Sequence, residues 1–401
     1  MTKVALAYSG GLDTSIAVTL LREEKGLDVV AVNVDLGEEK DREAIRKKAL
    51  DLGAVASFVV DAKEEFARDF VFQALQANAL YEGRYPVSTS LARPLIAKVV
   101  GEVAVREGAE YVAHGSTGKG NDQVRFDLAF NILYPDLQVL VPFRERKMTR
   151  AEAIKYAEKR RIPVPADADR PYSIDVNLWG RSVECGELEE PWREPPEHVF
   201  EWTRAIRDAP DQPLYLEIEF ERGAPLALDG AKLSGAQLIA RLNALGGEHG
   251  VGRIDLVENR LVGFKSREVY ECPAATILLA AHRDLESLTL ERDLTHEKQK
   301  IEVVYANLIY NGLWYGPLRY SLEGFIERSQ EAVSGKVRVC LHKGSCRAVG
   351  RQSELSLYEM DMATYEERDR FDPSASVGFI QIYGLSSRMA ARKQGPKGVK
   401  K

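Results

Sequence analysis

The chain has 401 residues, 45% hydrophobic and 29% charged. These are ordinary values for a globular protein of two or three domains, and they exclude a disordered, collagen-like or fibrous chain. Lys and Arg number 55 against 61 Asp and Glu, a formal charge of −6, so no global field attracts nucleic acid and a bound anion must rest on local donors.

Residues 4–8 are apolar without alternation, as in a strand buried on both faces, residues 29–34 read as a second buried strand, and 58–60 as a third strand. Helical spacing over 14–24, 42–52 and 63–79 separates and follows them. A helix is predicted over 94–106 with Pro94 near its first turn, then a strand at 111–113, a helix over 122–133, a strand at 139–141 and a helix over 150–159. This alternation predicts an α/β fold with a parallel sheet, whose ligands bind beyond the carboxyl ends of the strands.

Prolines at 163 and 165 break the pattern, and a domain boundary is expected near 163–175. Beyond it, strands at 215–220, 254–257 and 337–341 mix with helices over 236–244, 275–288, 295–311 and 321–334, an α+β pattern. From about residue 363 the chain is a separate piece. Its apolar run 377–385 suits docking on another subunit, and its positive end (Arg388, Arg392, Lys393, Lys397, Lys400, Lys401) lacks the interleaved aromatics of a nucleic-acid binder.

Four cysteines, Cys185, Cys272, Cys340 and Cys346, make no secretory framework and no usual zinc spacing. Cys340 and Cys346 are expected as thiols on neighbouring strands. No metal site is predicted. The first apolar run is too short for a signal peptide and no run approaches a membrane span, so a cytoplasmic protein without membrane contact is expected.

The most informative segment is Ala7-Tyr8-Ser9-Gly10-Gly11-Leu12-Asp13-Thr14-Ser15, between the first strand and first helix. Its glycines permit a tight turn, its hydroxyls donate, and free N–H groups at the helix start complete an anion site. Asp13 fits beside phosphate if a divalent cation lies between them. No Gly-Lys-Ser/Thr follows, so this is not a Walker loop, and a third glycine is missing for the dinucleotide fingerprint. A capped helix after a tight turn is the plainer alternative.

A second loop, His114 to Phe126, follows the strand at 111–113 and is dense in Gly, amide and charged residues. A zwitterionic amino acid needs donors for its carboxylate, which Thr117, Asn121 and Arg125 can supply, and an acceptor for its ammonium, which Asp122 can supply. A solvated Gly-rich turn is the alternative.

The first loop resembles the pyrophosphate loop of the N-type ATP pyrophosphatases, which cleave ATP to AMP and pyrophosphate through an adenylated oxygen. The second, Gly-Lys-Gly-Asn-Asp-Gln-Val-Arg-Phe (118–126), resembles the argininosuccinate synthase family, as do strings at 81–94, 172–186, 249–260 and 266–278. The tail after Arg388 has no counterpart, and Glu38 stands where the family usually has Gln.

The resemblance implies an N-terminal parallel-sheet domain of the adenine nucleotide alpha hydrolase type (1–165), an α+β synthetase domain (166–362) and a helical arm (363–401). It implies a carbon–nitrogen ligase joining L-citrulline and L-aspartate at the expense of ATP, in arginine biosynthesis, as a homotetramer. Carried over by residue, ATP with its Mg2+ falls to Ala7–Ser15, Val34 and Gly115, with Asp13 catalytic. Aspartate falls to Thr117, Asn121 and Asp122. Citrulline falls to Tyr85, Ser90, Asn121, Arg125, Ser173, Ser182, Glu258 and Tyr270. Locally, Glu258 equally reads as a solvent charge at a strand end, and Tyr270 as a core ring. Another adenylating ligase and a non-catalytic nucleotide sensor are the competing readings.

Overall fold

A computed structural model describes residues 2–395 except Glu39, Lys147, 164–171, Glu367 and Arg368. The proline break at 163–165 and the basic residues Lys397, Lys400 and Lys401 thus lie partly or wholly outside the described residues.

The first strands are β1 (Lys3–Ala7), β2 (Asp28–Asp35), β3 (Ala56–Asp61), β4 (Tyr111–Ala113) and β5 (Gln138–Leu140). They form one parallel sheet in the order β3-β2-β1-β4-β5. Val4, Ala5 and Leu6 are wholly buried, because helices cover both faces. The order reverses direction at β1, whose neighbours are β2 and β4, so the loops leaving β1 and β4 part there and leave a crevice.

The helix expected at 94–106 spans Ser88–Glu107, and Pro94 lies in its interior, not its first turn. Proline is at home in a first turn, which made it look like a start signal. The true start follows Val87, a β-branched residue held at φ 52, where the left-handed region is unfavourable. Burial compensates: Leu91, Leu95 and Ala97 sit in the core, and Gly101 lets the Tyr134 ring approach to where an added Cβ would stand 1.9 Å away. The stretch expected as one helix over 63–79 is a short α-turn, a π-helical segment Phe66–Val71 and a further α-helix Phe72–Gln76. The extra residue per turn carries Phe70 into stacking on Trp314, with centroids 4.8 Å apart.

Among the described residues nine further strands follow: β6 (Ser173–Asn177), β7 (Gly180–Glu184), β8 (Leu214–Glu221), β9 (Ala224–Leu228), β10 (Ala231–Lys232), β11 (Arg253–Asn259), β12 (Lys265–Glu271), β13 (Gly335–His342) and β14 (Ser345–Gln352). They build two antiparallel sheets, β10-β9-β8-β13-β14 and β11-β12-β7-β6. Cys340 and Cys346 lie on the adjacent strands β13 and β14, as free thiols. The helices Gly235–Glu248 and Pro273–Thr289 start on a Ser234–Gln237 capping box and on Pro273 respectively. One hydrophobic core runs from Ala5 and Val30 through the helix Ser88–Glu107 to Tyr305, Ile309 and Val337.

By its contacts the chain divides into one unit up to Leu355 and another from Ser356. The second carries the helices Ala375–Tyr383 and Leu385–Gln394. Its Val377, Phe379, Ile380 and Ile382 are exposed. Among the described residues no helix is long and apolar enough to cross a membrane.

Candidate active site

A cleft of about 380 Å³ opens beyond the carboxyl ends of β1, β2 and β4. At one end lies the loop from β1 to the helix Leu12–Glu23. Gly10 has φ +78, and an added Cβ would stand 3.1 Å from the Ile45 side chain, so only glycine fits this turn. Gly11 is the N-cap and gives the first turn no side-chain cap, and a helix start of this kind suits an anion. Ser9 Oγ lies 3.2 Å from Thr14 Oγ1, and Gly11 N–H donates to Ser9 Oγ at 3.3 Å. Ala7, Tyr8, Ser9, Asp13 and Thr14 line the cleft. Gly10, Gly11, Leu12 and Ser15 do not. The Ser15 hydroxyl is buried 3.3 Å from the Tyr8 hydroxyl and braces the loop from below, while Leu12 packs beside Ile16 and Phe143. Lys48 Nζ donates to Gly10 O at 2.9 Å.

The flanking walls are tied to this loop. Val34 lines the cleft at the end of β2, where Arg42 donates to Asn33 Oδ1, Asp35 Oδ1 and the Glu38 carbonyl. Burial pushes the Asp35 carboxyl up, but Lys63, the Gly37 N–H and Arg42 outweigh it and hold it below the usual range. Glu38 lines the cleft and pairs with Lys40 at 2.5 Å. Gly115 presses on Thr14, where an added Cβ would stand 3.0 Å from Thr14 Cγ2. Beside it, His114 Nε2 is 2.8 Å from Asp127 Oδ1 and Nδ1 accepts from the Ser116 N–H. Both imidazole nitrogens are thus engaged.

The other end is a polar sheet face. Antiparallel partners share a face, so the pairs Asp175–Ser182, Ser173–Glu184, Glu184–Glu268, Ser182–Tyr270 and Glu258–Ser266 bring β6, β7, β12 and β11 side chains together. Glu258 is 1% exposed, on a strand and not in solvent at its end. Its Oε1 accepts from Tyr310 at 2.6 Å and its Oε2 from Tyr270 at 2.8 Å. Tyr85 stacks on Tyr270 with centroids 4.1 Å apart, and its hydroxyl accepts from the Thr89 N–H at 2.8 Å, leaving its own hydrogen to donate. Burial pushes the phenols of Tyr85, Tyr270 and Tyr310 well above their ordinary value, so all three remain O–H donors. Ser173 and Ser182 line the cleft, Ser173 at the exposed start of β6. Ser90 does not, being wholly buried in its helix with an unpartnered hydroxyl.

Between the two ends stand Asn121, Asp122 and Arg125. Asn121 donates to the Tyr310 hydroxyl and accepts from the Leu261 N–H, both at 2.9 Å, which fixes its side chain against the cleft wall and leaves its second amide hydrogen to donate. Asp122 accepts from Arg125 at 2.9 Å and from Arg93 at 2.8 Å, and Arg93 also reaches Asp175 at 3.0 Å. Burial raises the Asp122 carboxyl, but the two guanidiniums outweigh it and hold it at about 2, below the ordinary 3.8. Thr117 lies outside the cleft lining, on the exposed loop tip.

A folded-state value below the unfolded one means that Asp122 stabilises the fold above about pH 4 and loses that contribution as pH falls towards about 2. Urea unfolding over this window is expected to be less pH-dependent in Asp122→Asn than in the wild type. An equal slope contradicts the assignment.

Sequence reasoning missed Arg42, Arg93, Asp175, Glu184, Arg260, Glu268 and Tyr310, all of which line the cleft. Arg93 lies inside a string that carries the family resemblance. Glu184 and Glu268 follow from Ser182 and Tyr270 by strand alternation once β7 and β12 are known. Tyr310, at the far end of the helix Arg292–Tyr310, has no local signal.

A phosphate loop at the switch point of a parallel sheet, with neither a Walker lysine nor a dinucleotide fingerprint, defines a nucleotide-binding α/β protein outside both of those classes. The profile described as "Arginosuccinate synthase N-terminal HUP domain" matches residues 3–163, and "Arginosuccinate synthase C-terminal domain" matches 172–390. A Gloeobacter violaceus protein named argininosuccinate synthase is 57% identical over 391 residues, 97% of this chain and 98% of its own length. Proteins of the same name from Symbiobacterium thermophilum and Dehalococcoides mccartyi are 56% and 55% identical, each over 98% of this chain and over 99% and 97% of their own lengths. The chain belongs to the argininosuccinate synthase family.

Proposed function

We propose that the chain ligates L-citrulline and L-aspartate to argininosuccinate, with ATP cleaved to AMP and pyrophosphate through citrullyl-AMP. The observation that carries this reading is the continuity of one cleft from the phosphate loop to the Glu258 face. The functional division is 1–165 for ATP, 166–362 for citrulline and assembly, and 363–401 as the arm.

The first loop, with Val34 and Gly115 on its flanks, holds ATP. Among the described residues no three His, Cys, Asp or Glu side chains cluster as a metal site. The carboxylate of Asp13, at the phosphate-loop end of the cleft lining, fits a Mg2+ that arrives on the nucleotide. That ion neutralises phosphate charge. The buried Glu258 accepts the citrulline ammonium, and Tyr85, Arg125, Ser173 and Ser182 turn the ureido oxygen towards the α-phosphorus. A ureido carbon is a poor electrophile because two nitrogens feed it electrons. Transfer of AMP to its oxygen makes that oxygen a leaving group, and pyrophosphate departs into the loop's N–H groups.

Aspartate then lies against Asn121 and Asp122, the two residues of the expected set that line the cleft. Its amine attacks the activated carbon and expels AMP. With both His114 nitrogens engaged, the amine proton passes to an α-phosphate oxygen. Pyrophosphate release with each substrate omitted in turn tests the reading. Release is expected only when ATP and citrulline are both present, with turnover requiring aspartate. Release that ignores citrulline points to a different ligase, and no release at all to a nucleotide sensor.

The exposed apolar side chains of the helix Ala375–Tyr383 support docking on another subunit, and on the proposed reading the arm is the link of a cytoplasmic homotetramer. Light scattering on a chain lacking residues 363–401 is expected to give a smaller particle that still binds ATP. An unchanged tetramer contradicts the arm's role.

A further inference from the structure

The polar sheet face holds a proton problem that the ligation does not use. Tyr270 Oη lies 2.8 Å from Glu258 Oε2 and 2.9 Å from Glu268 Oε2. A phenol has one hydrogen, so it donates to only one of them. If both glutamates are ionised, the other contact is oxygen against oxygen with nothing between. A hydrogen on Glu268 completes the chain: Glu268 O–H donates to Tyr270, Tyr270 donates to Glu258 Oε2, and Tyr310 donates to Glu258 Oε1.

The surrounding charges favour placing it there. Glu268 on β12 lies directly opposite Glu184 on β7, a like-charge pair. Arg260, just beyond β11, bridges them, its Nη2 donating to Glu184 Oε2 and to Glu268 Oε1. Glu258 on β11 adds a third carboxyl group, and Asp122 faces Glu184 from the helix Asp122–Leu133. Against these stand Arg260 and, beside Tyr310, Arg125, which is already paired with Asp122. Tyr85, Tyr270 and Tyr310 bring no charge. Burial first, then Glu258 and Glu184, push the Glu268 carboxyl well above its ordinary range, more than Arg260 draws it down.

We propose that Glu268 holds a proton while the cleft is empty and releases it when the α-ammonium of citrulline settles on Glu258. The proposal rests on the citrulline reading and makes Glu268 a positioning residue, acting through Tyr270. The balance is simple: the Glu268 O–H bond breaks, the electron pair stays on the carboxylate, and the proton goes to solvent. The arriving cation replaces the charge that the proton had cancelled. Because binding releases a proton, affinity rises with pH, by up to about tenfold per pH unit while Glu268 is protonated in the free protein, and levels off above that.

Calorimetric titration of citrulline into the full-length protein, in buffers of different ionisation enthalpy at one pH, counts the protons. A release approaching about one proton is expected. Glu268→Gln keeps a donor towards Tyr270 and an acceptor for Arg260. It is expected to bind citrulline without proton release and without the rise in affinity with pH. Wild-type binding with heats independent of buffer overturns the proton, while leaving the citrulline reading intact. Release that persists in Glu268→Gln overturns the assignment to Glu268. Absence of citrulline binding to the wild type overturns the citrulline reading itself, and the inference with it. Should the variant fail to fold, the wild-type proton count and pH profile decide alone.

Discussion

Asp13→Ala is expected to lower pyrophosphate formation by about 10³-fold, the scale of losing one pre-organised electrostatic contact to a transition state. Asp13 sits in the first turn of the helix Leu12–Glu23 and lines the cleft beside Ser9 and Thr14. A carboxylate next to three phosphates is repulsive, unless a divalent cation lies between them. On the proposed reading Asp13 would hold that cation, and its loss would cost the phosphates their alignment. The fold should survive, because Asp13 is only half-buried and its loss opens no core cavity of the kind that costs ~2–5 kcal/mol. Circular dichroism and thermal unfolding check the fold, and a coupled pyrophosphate assay checks the rate. A fully active variant removes Asp13 from the mechanism.

Glu258→Gln is expected to raise the citrulline KM on the order of 100-fold, the equivalent of about 3 kcal/mol for one buried, charge-assisted contact. Glu258 is 1% exposed and both of its oxygens accept tyrosine hydroxyls. The amide removes the charge that on the proposed reading meets the ammonium, and one tyrosine hydroxyl then faces an NH2 group. The KM for ATP should change little, because the phosphate loop lies at the opposite end of the cleft. Steady-state kinetics with citrulline and ATP varied separately measure both. A selective rise in the ATP KM would move Glu258 out of the citrulline site.

The nucleotide-binding half was legible because its central strands β1 and β2 are buried on both faces and read as unbroken apolar runs, whereas the edge strands β3 and β5 are half-exposed, and because the loops after β1 and β4 are confined to short strings. The sheet β11-β12-β7-β6 was half legible. Residues 254–257 gave its β11, but Ser173, Asp175, Ser182, Glu184, Ser266 and Glu268 look like loop or solvent-facing residues. Their polar face lines the cleft, so alternation there marks a cleft wall and not an open solvent-facing surface. The same confusion made Glu258 read locally as a strand-end charge, although it is buried under Tyr270 and Tyr310. Pro94 misled because burial holds its helix together where local propensity would start one. Tyr310 and Arg260 reach the cleft only through tertiary packing, which no local pattern carries.

The central claim is that the ureido oxygen of citrulline is adenylated. Citrulline carrying heavy oxygen in its ureido group, turned over with ATP and aspartate, tests it by mass spectrometry of the products. In-line attack on the α-phosphorus leaves that oxygen bonded to phosphorus when the aspartate amine expels the nucleotide, so the label is predicted in AMP. Label in inorganic phosphate, or in no product other than unreacted citrulline, would contradict the citrullyl-AMP route.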